Sequence, residues 1–222
     1  MPDQPKENIF LFVPNLIGYG RIILALVAFY YMPYNPIIGS ICYIISGMLD
    51  AVDGYAARAL NQSSRVGAML DQLTDRVGTC GLLMVLCMLY PRWAILFQIS
   101  TALDITSHWI HFYSSTSLLK STSHKTVDYG SSILKLYYTS RPLLFFMCLG
   151  NETCYTMLYL CYFTPGPYLL PFLEVGLFDL LFFVSLPVAI AKAFCSWLQL
   201  KGAMSAIADV DVEERKQLKK KE

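Results

Sequence analysis

Long apolar segments, separated by short polar or proline-containing breaks, dominate the pattern along this chain. Six of them are predicted to span a membrane as helices, at residues 17–32, 37–59, 66–90, 94–118, 141–163 and 175–198. Each approaches the roughly 20 apolar residues that a helical span needs, although the first is short. Strand-like alternation of apolar and polar positions is rare, which favours helices over a barrel. The pattern therefore predicts an all-α, polytopic membrane protein with six transmembrane helices.

Two shorter segments complete this outline. Residues 8–15 are mostly apolar and are predicted to form a short N-terminal interfacial segment. Pro14 is expected to stop this segment from continuing into the first span. Residues 120–132 are predicted to form a polar loop between the fourth and fifth spans. The spans and the N-terminal segment make residues 1–200 one predicted membrane domain.

Basic residues lie mainly on one side of this topology. They flank the second-to-third connection and populate the fourth-to-fifth connection and the tail, whereas the opposite side has Arg92 alone. Because basic loops stay in the cytosol, both termini and the second-to-third connection are predicted to be cytosolic. Residues 201–222 form a predicted charged cytosolic tail, and residues 209–222 are expected to be disordered because they lack core positions. The final Lys-Lys-Lys-Glu resembles a dilysine retrieval signal, which predicts the endoplasmic reticulum membrane as the location.

Composition narrows the class of protein. The 222 residues are 55% hydrophobic with a mean hydropathy of +0.47, which is too apolar for one ordinary soluble domain. The net charge of +1 gives no indication of a nucleic-acid-binding surface, so no nucleic-acid partner is expected. The seven cysteines lie in apolar stretches without a C-x2-C spacing, and we interpret them as small buried side chains.

Four aspartates, Asp50, Asp53, Asp71 and Asp75, interrupt the second and third apolar segments. A charge at the bilayer centre costs at least ~2.5–3.5 kcal/mol, so four carboxylates require compensating partners. Arg58 and Arg65 are too few to compensate four carboxylates, and Arg65 lies away from their spacing. Oxygen-only ligands suit hard divalent cations, so the aspartates are predicted to bind Mg²⁺, Ca²⁺ or Mn²⁺.

The spacing of the aspartates supports one shared site. Asp50 and Asp53 are three residues apart, and Asp71 and Asp75 are four apart, so each pair shares a helix face. The polar break between the two helices allows both acidic faces to meet at one membrane surface. Solvated helix faces are the alternative interpretation, but apolar residues surround all four aspartates.

The same residues belong to a longer pattern, D-x2-D-G-x2-A-R-x8-G-x3-D-x3-D, which begins at Asp50 and ends at Asp75. Every fixed position is filled, and the motif alanine is Ala57. The chain thereby resembles the CDP-alcohol phosphatidyltransferases. The Val-Pro-Asn stretch ending at Asn15 and the Tyr-Tyr-Thr-Ser-Arg-Pro stretch around Arg141 are similar to the eukaryotic, inositol-using branch of that family.

The resemblance implies a reaction in which a hydroxyl attacks the lipid-side phosphorus of CDP-diacylglycerol and CMP leaves. It implies that Asp50, Asp53 and Asp71 hold two Mg²⁺ or Mn²⁺ ions, and that Asp75 touches a metal and accepts the proton. The predicted CDP-diacylglycerol-binding residues are Asn15, Gly54, Ala57, Arg58 and Gly67, and Arg21 also matches a position near the nucleotide site. Taken singly, each glycine is equally compatible with close helix packing.

The acceptor side rests on four further residues. Asp104 and His108 are four residues apart in the fourth span, where they are compatible both with a hydrogen-bonded packing pair and with polyol binding. Lys135 and Arg141 precede and open the fifth span, and the resemblance favours an inositol-pocket role for Arg141. A phosphate-bearing acceptor would need several convergent cations, so these few favour neutral myo-inositol. The predicted partners of the protein also include membrane lipids, and the sequence is compatible with a homodimer.

Two alternative functions remain open at this point. A sister enzyme of the same family would use glycerol phosphate, serine or choline, and the motif does not separate these alcohols. A divalent-cation transporter would place the aspartates along a permeation path. Against the transporter, no second acidic pair lies across the membrane or in an inverted repeat.

Overall fold

Three long helices form the first of two compact units in the computed structural model, which describes residues 7–120, 132–170 and 175–220. They are α1 (Val13–Tyr31), α2 (Pro36–Ala59) and α3 (Arg65–Leu89). A 3-10 turn, Ile9–Leu11, precedes α1, and a second turn, Pro91–Trp93, follows α3. These helices correspond to the first three predicted spans.

Side chains in the polar breaks determine where α2 and α3 begin. Asn35 caps α2, because its Oδ1 accepts a hydrogen bond from the N–H of Ile38 at 3.2 Å. Ser64 caps α3, because its Oγ accepts a hydrogen bond from the N–H of Gly67 at 3.0 Å. Such caps satisfy backbone donors that the first turn of a helix leaves unpaired.

The start of α1 differs from the sequence prediction. The sequence predicts that Pro14 separates residues 8–15 from the first span, but Pro14 lies in the first turn of α1. That prediction is wrong because proline lacks only an N–H that a first turn leaves unpaired anyway. The N–H of Val13 is satisfied from the α2–α3 connection, since Gln62 Oε1 accepts its hydrogen bond at 2.9 Å. An interfacial role for the preceding turn stays a prediction.

The second unit holds the remaining elements, namely α4 (Ala94–Lys120), α5 (Ser132–Thr139), α6 (Arg141–Cys161), β1 (Tyr168–Leu170), β2 (Val175–Gly176) and α7 (Leu177–Lys219). Strands β1 and β2 pair in an antiparallel ladder. The sequence pattern missed α5 and both strands, since each is too short for a clear period. Leu134 and Tyr137 of α5 are buried with Cys195 of α7, which fixes the short helix. Residues 121–131 of the predicted polar loop lie outside the described residues.

Helix α7 continues far beyond the predicted sixth span. It has 43 residues, so it is about 65 Å long, roughly twice the thickness of a bilayer core. The expectation of disorder from residue 209 is wrong, since the helix ends at Lys219. That prediction considered only the high charge of the segment, but Glu, Lys, Arg, Gln and Leu are all good helix formers. Residues 211–220 are all exposed, and the domain boundary at residue 200 stays a prediction.

Apolar side chains cover much of the outside of these helices. Ile23, Met84 and Phe183 are each more than 60% exposed, whereas Leu82 and Leu86 are fully buried. Within the described residues, five helices are long and apolar enough to cross a membrane: α1, α2, α3, α6 and α7. The chain is therefore an all-α, multi-pass membrane protein. The span predicted for α4 stays a prediction.

Candidate active site

Four carboxylates converge on one guanidinium in the first unit. We call Asp50 and Asp53 of α2, with Asp71 and Asp75 of α3, the aspartate cluster. Arg21 of α1 contacts all four: Nη1 is 2.8 Å from Asp53 Oδ2 and 2.7 Å from Asp71 Oδ1. Nη2 is 2.7 Å from Asp50 Oδ1 and 2.6 Å from Asp75 Oδ1. The predicted meeting of the two acidic helix faces is confirmed.

The aspartate cluster has a buried floor and an open side. Arg21 is 2% exposed and Asp53 is 7% exposed, so these two lie at the bottom. The side chains of Asp50, Asp71 and Asp75 are between 36% and 47% exposed. A ligand can therefore approach three of the four carboxylates from outside the helices.

The donor set fits a hard divalent cation. One carboxylate oxygen from each of Asp50, Asp53 and Asp71 lies within 4.8 Å of the others. Asp50 Oδ1 is buried and has no aligned hydrogen-bond donor among the described residues, although Arg21 lies close to it. Convergent carboxylate oxygens are the ligands that Mg²⁺ and Mn²⁺ prefer. Asp75 lies beside this triad, and its second oxygen is 3.8 Å from Arg76 Nη2.

A pocket of about 150 Å³ opens next to the aspartate cluster. Asp53 and Asp71 belong to both, so the pocket and the carboxylates form one continuous site. All five predicted CDP-diacylglycerol-binding residues line the pocket: Asn15, Gly54, Ala57, Arg58 and Gly67. Pro14, which the resemblance also places near the nucleotide, lines it too. The lining further includes residues that the sequence prediction did not single out for this site: Gly18, Gln62, Ser63, Ser64, Ala68 and Leu70.

The pocket wall is built from side chains that also position the helix starts. Asn15 is 1% exposed, and its Nδ2 donates a hydrogen bond to the Ile9 carbonyl at 2.6 Å. Its Oδ1 is buried without a hydrogen-bond donor among the described residues. A Cβ atom at Gly67 would lie 2.8 Å from that oxygen and 3.2 Å from Ser64 Oγ. Gly67 is thus required by close approach of α1 to the start of α3.

Gly67→Ala is expected to raise the KM for the predicted substrate, CDP-diacylglycerol, by about tenfold, since overpacking costs about 1–3 kcal/mol. The added methyl group would push Asn15 or Ser64 into the pocket. Gly78→Ala on the same helix is the matched control, because a Cβ atom there meets nothing within 4 Å. Steady-state kinetics of the purified variants would measure this, and equal KM values for the two variants would contradict it.

Arg21 is the main feature of the site that sequence reasoning missed. The resemblance placed it near the nucleotide, whereas the structure places its guanidinium at the centre of the aspartate cluster. The arginine close to the aspartates in sequence is Arg58, whereas the partners of Arg21 lie 29 to 54 residues away along the chain. The sequence feature that indicates this role is the position of Arg21 inside an apolar span, because an unpaired charge there is costly in free energy.

The predicted acceptor residues lie in the second unit. Asp104 Oδ1 is 3.5 Å from Lys192 Nζ on α7 and 3.6 Å from His108 Nδ1. His108 Nδ1 also donates a hydrogen bond to the Asp104 carbonyl at 2.8 Å. Lys135 and Arg141 are exposed on α5 and at the start of α6. The Asp104–His108 pair is confirmed as a contact, and Lys192 is a partner that the sequence did not reveal.

The ion pair between Asp104 and Lys192 is expected to be a stability determinant of the second unit. Both side chains are at most 13% exposed, so Lys192→Met would leave a buried carboxylate poorly paired. Breaking such a pair costs about 3 kcal/mol or more, whereas replacing both partners by apolar residues is nearly neutral. Unfolding in SDS titrations should therefore show Asp104→Leu/Lys192→Met to be more stable than Lys192→Met alone. Additive losses in the double variant would contradict this coupling.

Comparison with known proteins agrees with the motif and the geometry. The family model described as CDP-alcohol phosphatidyltransferase matches residues 11–163. A Rattus norvegicus protein named CDP-diacylglycerol–inositol 3-phosphatidyltransferase is 50% identical over 213 residues, which cover 96% of this chain and 98% of the relative. Proteins with the same name from Drosophila melanogaster and Schizosaccharomyces pombe are 48% and 40% identical, over 97% and 98% of this chain and 93% and 98% of their own lengths. The chain belongs to the CDP-alcohol phosphatidyltransferase family.

Proposed function

We propose that this protein transfers the phosphatidyl group of CDP-diacylglycerol to myo-inositol, with phosphatidylinositol and CMP as products. The observation that carries the proposal is the continuity of the aspartate cluster with the adjacent pocket, to which Asp53 and Asp71 both belong. The relatives whose names state this reaction cover nearly the whole chain. The family depends on divalent metal ions.

We assign metal binding to the aspartate cluster, with Asp50, Asp53 and Asp71 as ligands and Asp75 at the edge. The ions are two Mg²⁺ or Mn²⁺ ions. When bound, they neutralise pyrophosphate charge and stabilise the attacking and leaving oxygens. The convergence of three carboxylate oxygens within 4.8 Å supports this assignment.

The pocket is assigned to the CDP portion of the lipid donor. Arg58 can pair with a phosphate, and its guanidinium lies alongside Gly54, 3.5 Å from the position that a Cβ atom would take there. Gly67 leaves space beside Asn15, whose buried Oδ1 has no hydrogen-bond donor among the described residues. Ala57 leaves room along the α2 wall.

The chemical step requires a proton acceptor next to the reacting phosphorus. An inositol hydroxyl oxygen forms a bond to the lipid-side phosphorus, the bond from that phosphorus to the CMP oxygen breaks, and Asp75 accepts the hydroxyl proton. Asp75 suits this role because its carboxylate adjoins the triad and is partly exposed. The acceptor side is assigned to Asp104, His108, Lys135 and Arg141.

An alcohol panel tests the proposed function. Purified protein in detergent receives CDP-diacylglycerol, Mn²⁺ and one alcohol at a time: myo-inositol, glycerol phosphate, serine or choline. We expect CMP release and a new phospholipid with myo-inositol alone. Turnover with another alcohol and none with inositol would assign the chain to a sister activity of the family.

We further propose that the protein lies in the endoplasmic reticulum membrane with both termini and the active site in the cytosol. A cysteine introduced at Ser63, which is exposed in the α2–α3 connection, should react with an impermeant maleimide added to sealed microsomes. A cysteine at Tyr168, which is 58% exposed on β1, should react only after permeabilisation. The unsubstituted chain is the control for its seven native cysteines, and reversed labelling would refute the orientation. A homodimer stays a prediction that light scattering of the purified protein tests.

A further inference from the structure

The guanidinium of Arg21 divides its contacts evenly over the aspartate cluster. Nη1 contacts one aspartate of α2 and one of α3, at 2.8 and 2.7 Å, and Nη2 does the same at 2.7 and 2.6 Å. The guanidinium is thus a single cation shared by four carboxylates. One oxygen of each aspartate lies within 2.8 Å of it.

Nothing else among the described residues holds the end of this side chain in place. Arg21 Nε is buried without a hydrogen-bond acceptor, so the polar contacts of the guanidinium within the described part of the chain are those with the four carboxylates. The backbone of Arg21 is held separately, because Ser46 Oγ donates a hydrogen bond to its carbonyl at 2.9 Å. The Arg21 backbone is therefore fixed independently of its guanidinium.

Charge balance indicates that this pairing is incomplete. The aspartate cluster carries four negative charges when ionised, Arg21 supplies one positive charge and Arg76 lies 3.8 Å from Asp75, which still leaves an excess of two negative charges. A divalent ion ligated by carboxylates lies about 2.0–2.1 Å from their oxygens. Nη1 and Nη2 already lie 2.6–2.8 Å from oxygens of the same four residues. An ion on these oxygens and the guanidinium would therefore be two cations at one position.

We propose that Arg21 is an internal cation of the aspartate cluster, which keeps the four carboxylates together without metal and is exchanged for divalent ions when they bind. The inference rests on the metal-binding role assigned under the proposed function. The free energy of metal binding is then the attraction of the four carboxylates for the ions minus their attraction for the guanidinium. Removing the guanidinium leaves a stronger metal site in a less stable metal-free protein.

Manganese binding to the purified protein in detergent, without either substrate, tests this exchange. Free Mn²⁺ is measured by electron paramagnetic resonance in the wild type, Arg21→Gln and Arg21→Lys. Because four carboxylates without their internal cation attract Mn²⁺ more strongly, Arg21→Gln is expected to bind it at least about tenfold more tightly. Arg21→Lys keeps the charge but loses the planar fork that reaches four partners, so its affinity should lie between the other two.

Thermal unfolding supplies a second measurement on the same samples. The Tm of Arg21→Gln in EDTA should be lower than that of the wild type, and Mn²⁺ should raise it by more than it raises the wild-type Tm. Arg65→Gln is the matched control, since it removes one positive charge from an exposed position at the start of α3 and should change neither quantity.

The outcomes separate the inference from the proposed function. Unchanged or weaker Mn²⁺ binding by folded Arg21→Gln would overturn the exchange while leaving the metal site intact. If Arg21→Gln does not fold, Arg21→Lys decides, and affinity equal to or below that of the wild type overturns the exchange. Absence of Mn²⁺ binding in every protein, wild type included, overturns both the metal site and the inference.

Discussion

Asp53→Asn is expected to abolish turnover while the protein still inserts and folds. Asp53 is the most buried member of the aspartate cluster, and it contributes to both the proposed metal site and the pocket. Loss of one ligand charge removes several kcal/mol of transition-state stabilisation, which corresponds to about 10³-fold or more in rate. The measurement is CMP release from CDP-diacylglycerol and myo-inositol at saturating Mn²⁺. Asp50→Asn and Asp71→Asn are expected to behave alike, because they complete the same triad.

Asp209→Asn provides the matched control for this series. It makes the same chemical change on the exposed C-terminal part of α7 and should leave turnover unchanged. Size-exclusion profiles of all variants establish that the protein is folded. Near-normal turnover in folded Asp53→Asn at saturating metal would rule out direct ligation by this carboxylate.

Asp75→Asn should reduce kcat by about 10²–10⁴-fold, which is the usual contribution of a general base. The amide keeps the shape of the carboxylate and one oxygen, so the contact that Asp75 Oδ1 makes with Arg21 Nη2 at 2.6 Å can persist. It cannot accept the proton of the attacking hydroxyl. Binding of CDP-diacylglycerol should be nearly unchanged, since Asp75 is not among the residues that line the pocket.

Separate measurements of binding and turnover distinguish this role from metal ligation. Single-turnover rates give the chemical step, and equilibrium titration with the nucleotide lipid gives its Kd. A proton acceptor predicts a lower rate at unchanged Kd, with a smaller loss of Mn²⁺ affinity than in Asp53→Asn. A fall in Mn²⁺ affinity comparable to that of Asp53→Asn would make Asp75 a ligand instead, and a normal rate would falsify both roles.

The sequence predicted those parts of the site whose residues all lie within one short segment of the chain. The spacing of Asp50 with Asp53 and of Asp71 with Asp75 predicts shared helix faces, and the structure places all four side chains around one point. The same holds for Gly67, which the motif assigns to the nucleotide side and which lines the pocket. In each case helical periodicity converts spacing along the chain into position in space.

Prediction failed where the partner is distant or the element is short. Arg21 and Lys192 each have carboxylate partners on other helices, and Lys192 lies 88 residues from Asp104, so no local pattern links them. Helix α5 has only eight residues, and its burial against α7 depends on a contact that follows from folding. In the C-terminal part of α7, polarity predicted disorder although helix propensity favoured continuation.

The contacts of Arg21 with α2 and α3 constrain how the chain can be made. During synthesis α1 emerges first with its arginine unpaired, and each mid-helix charge costs ~2.5–3.5 kcal/mol to place in lipid. Helix α2 brings two of the aspartates and α3 brings the other two, so the charges are mutually paired only after the third helix has emerged. We therefore expect the translocon to retain α1 and α2 at its lateral gate and to release the first three helices into the bilayer as one group.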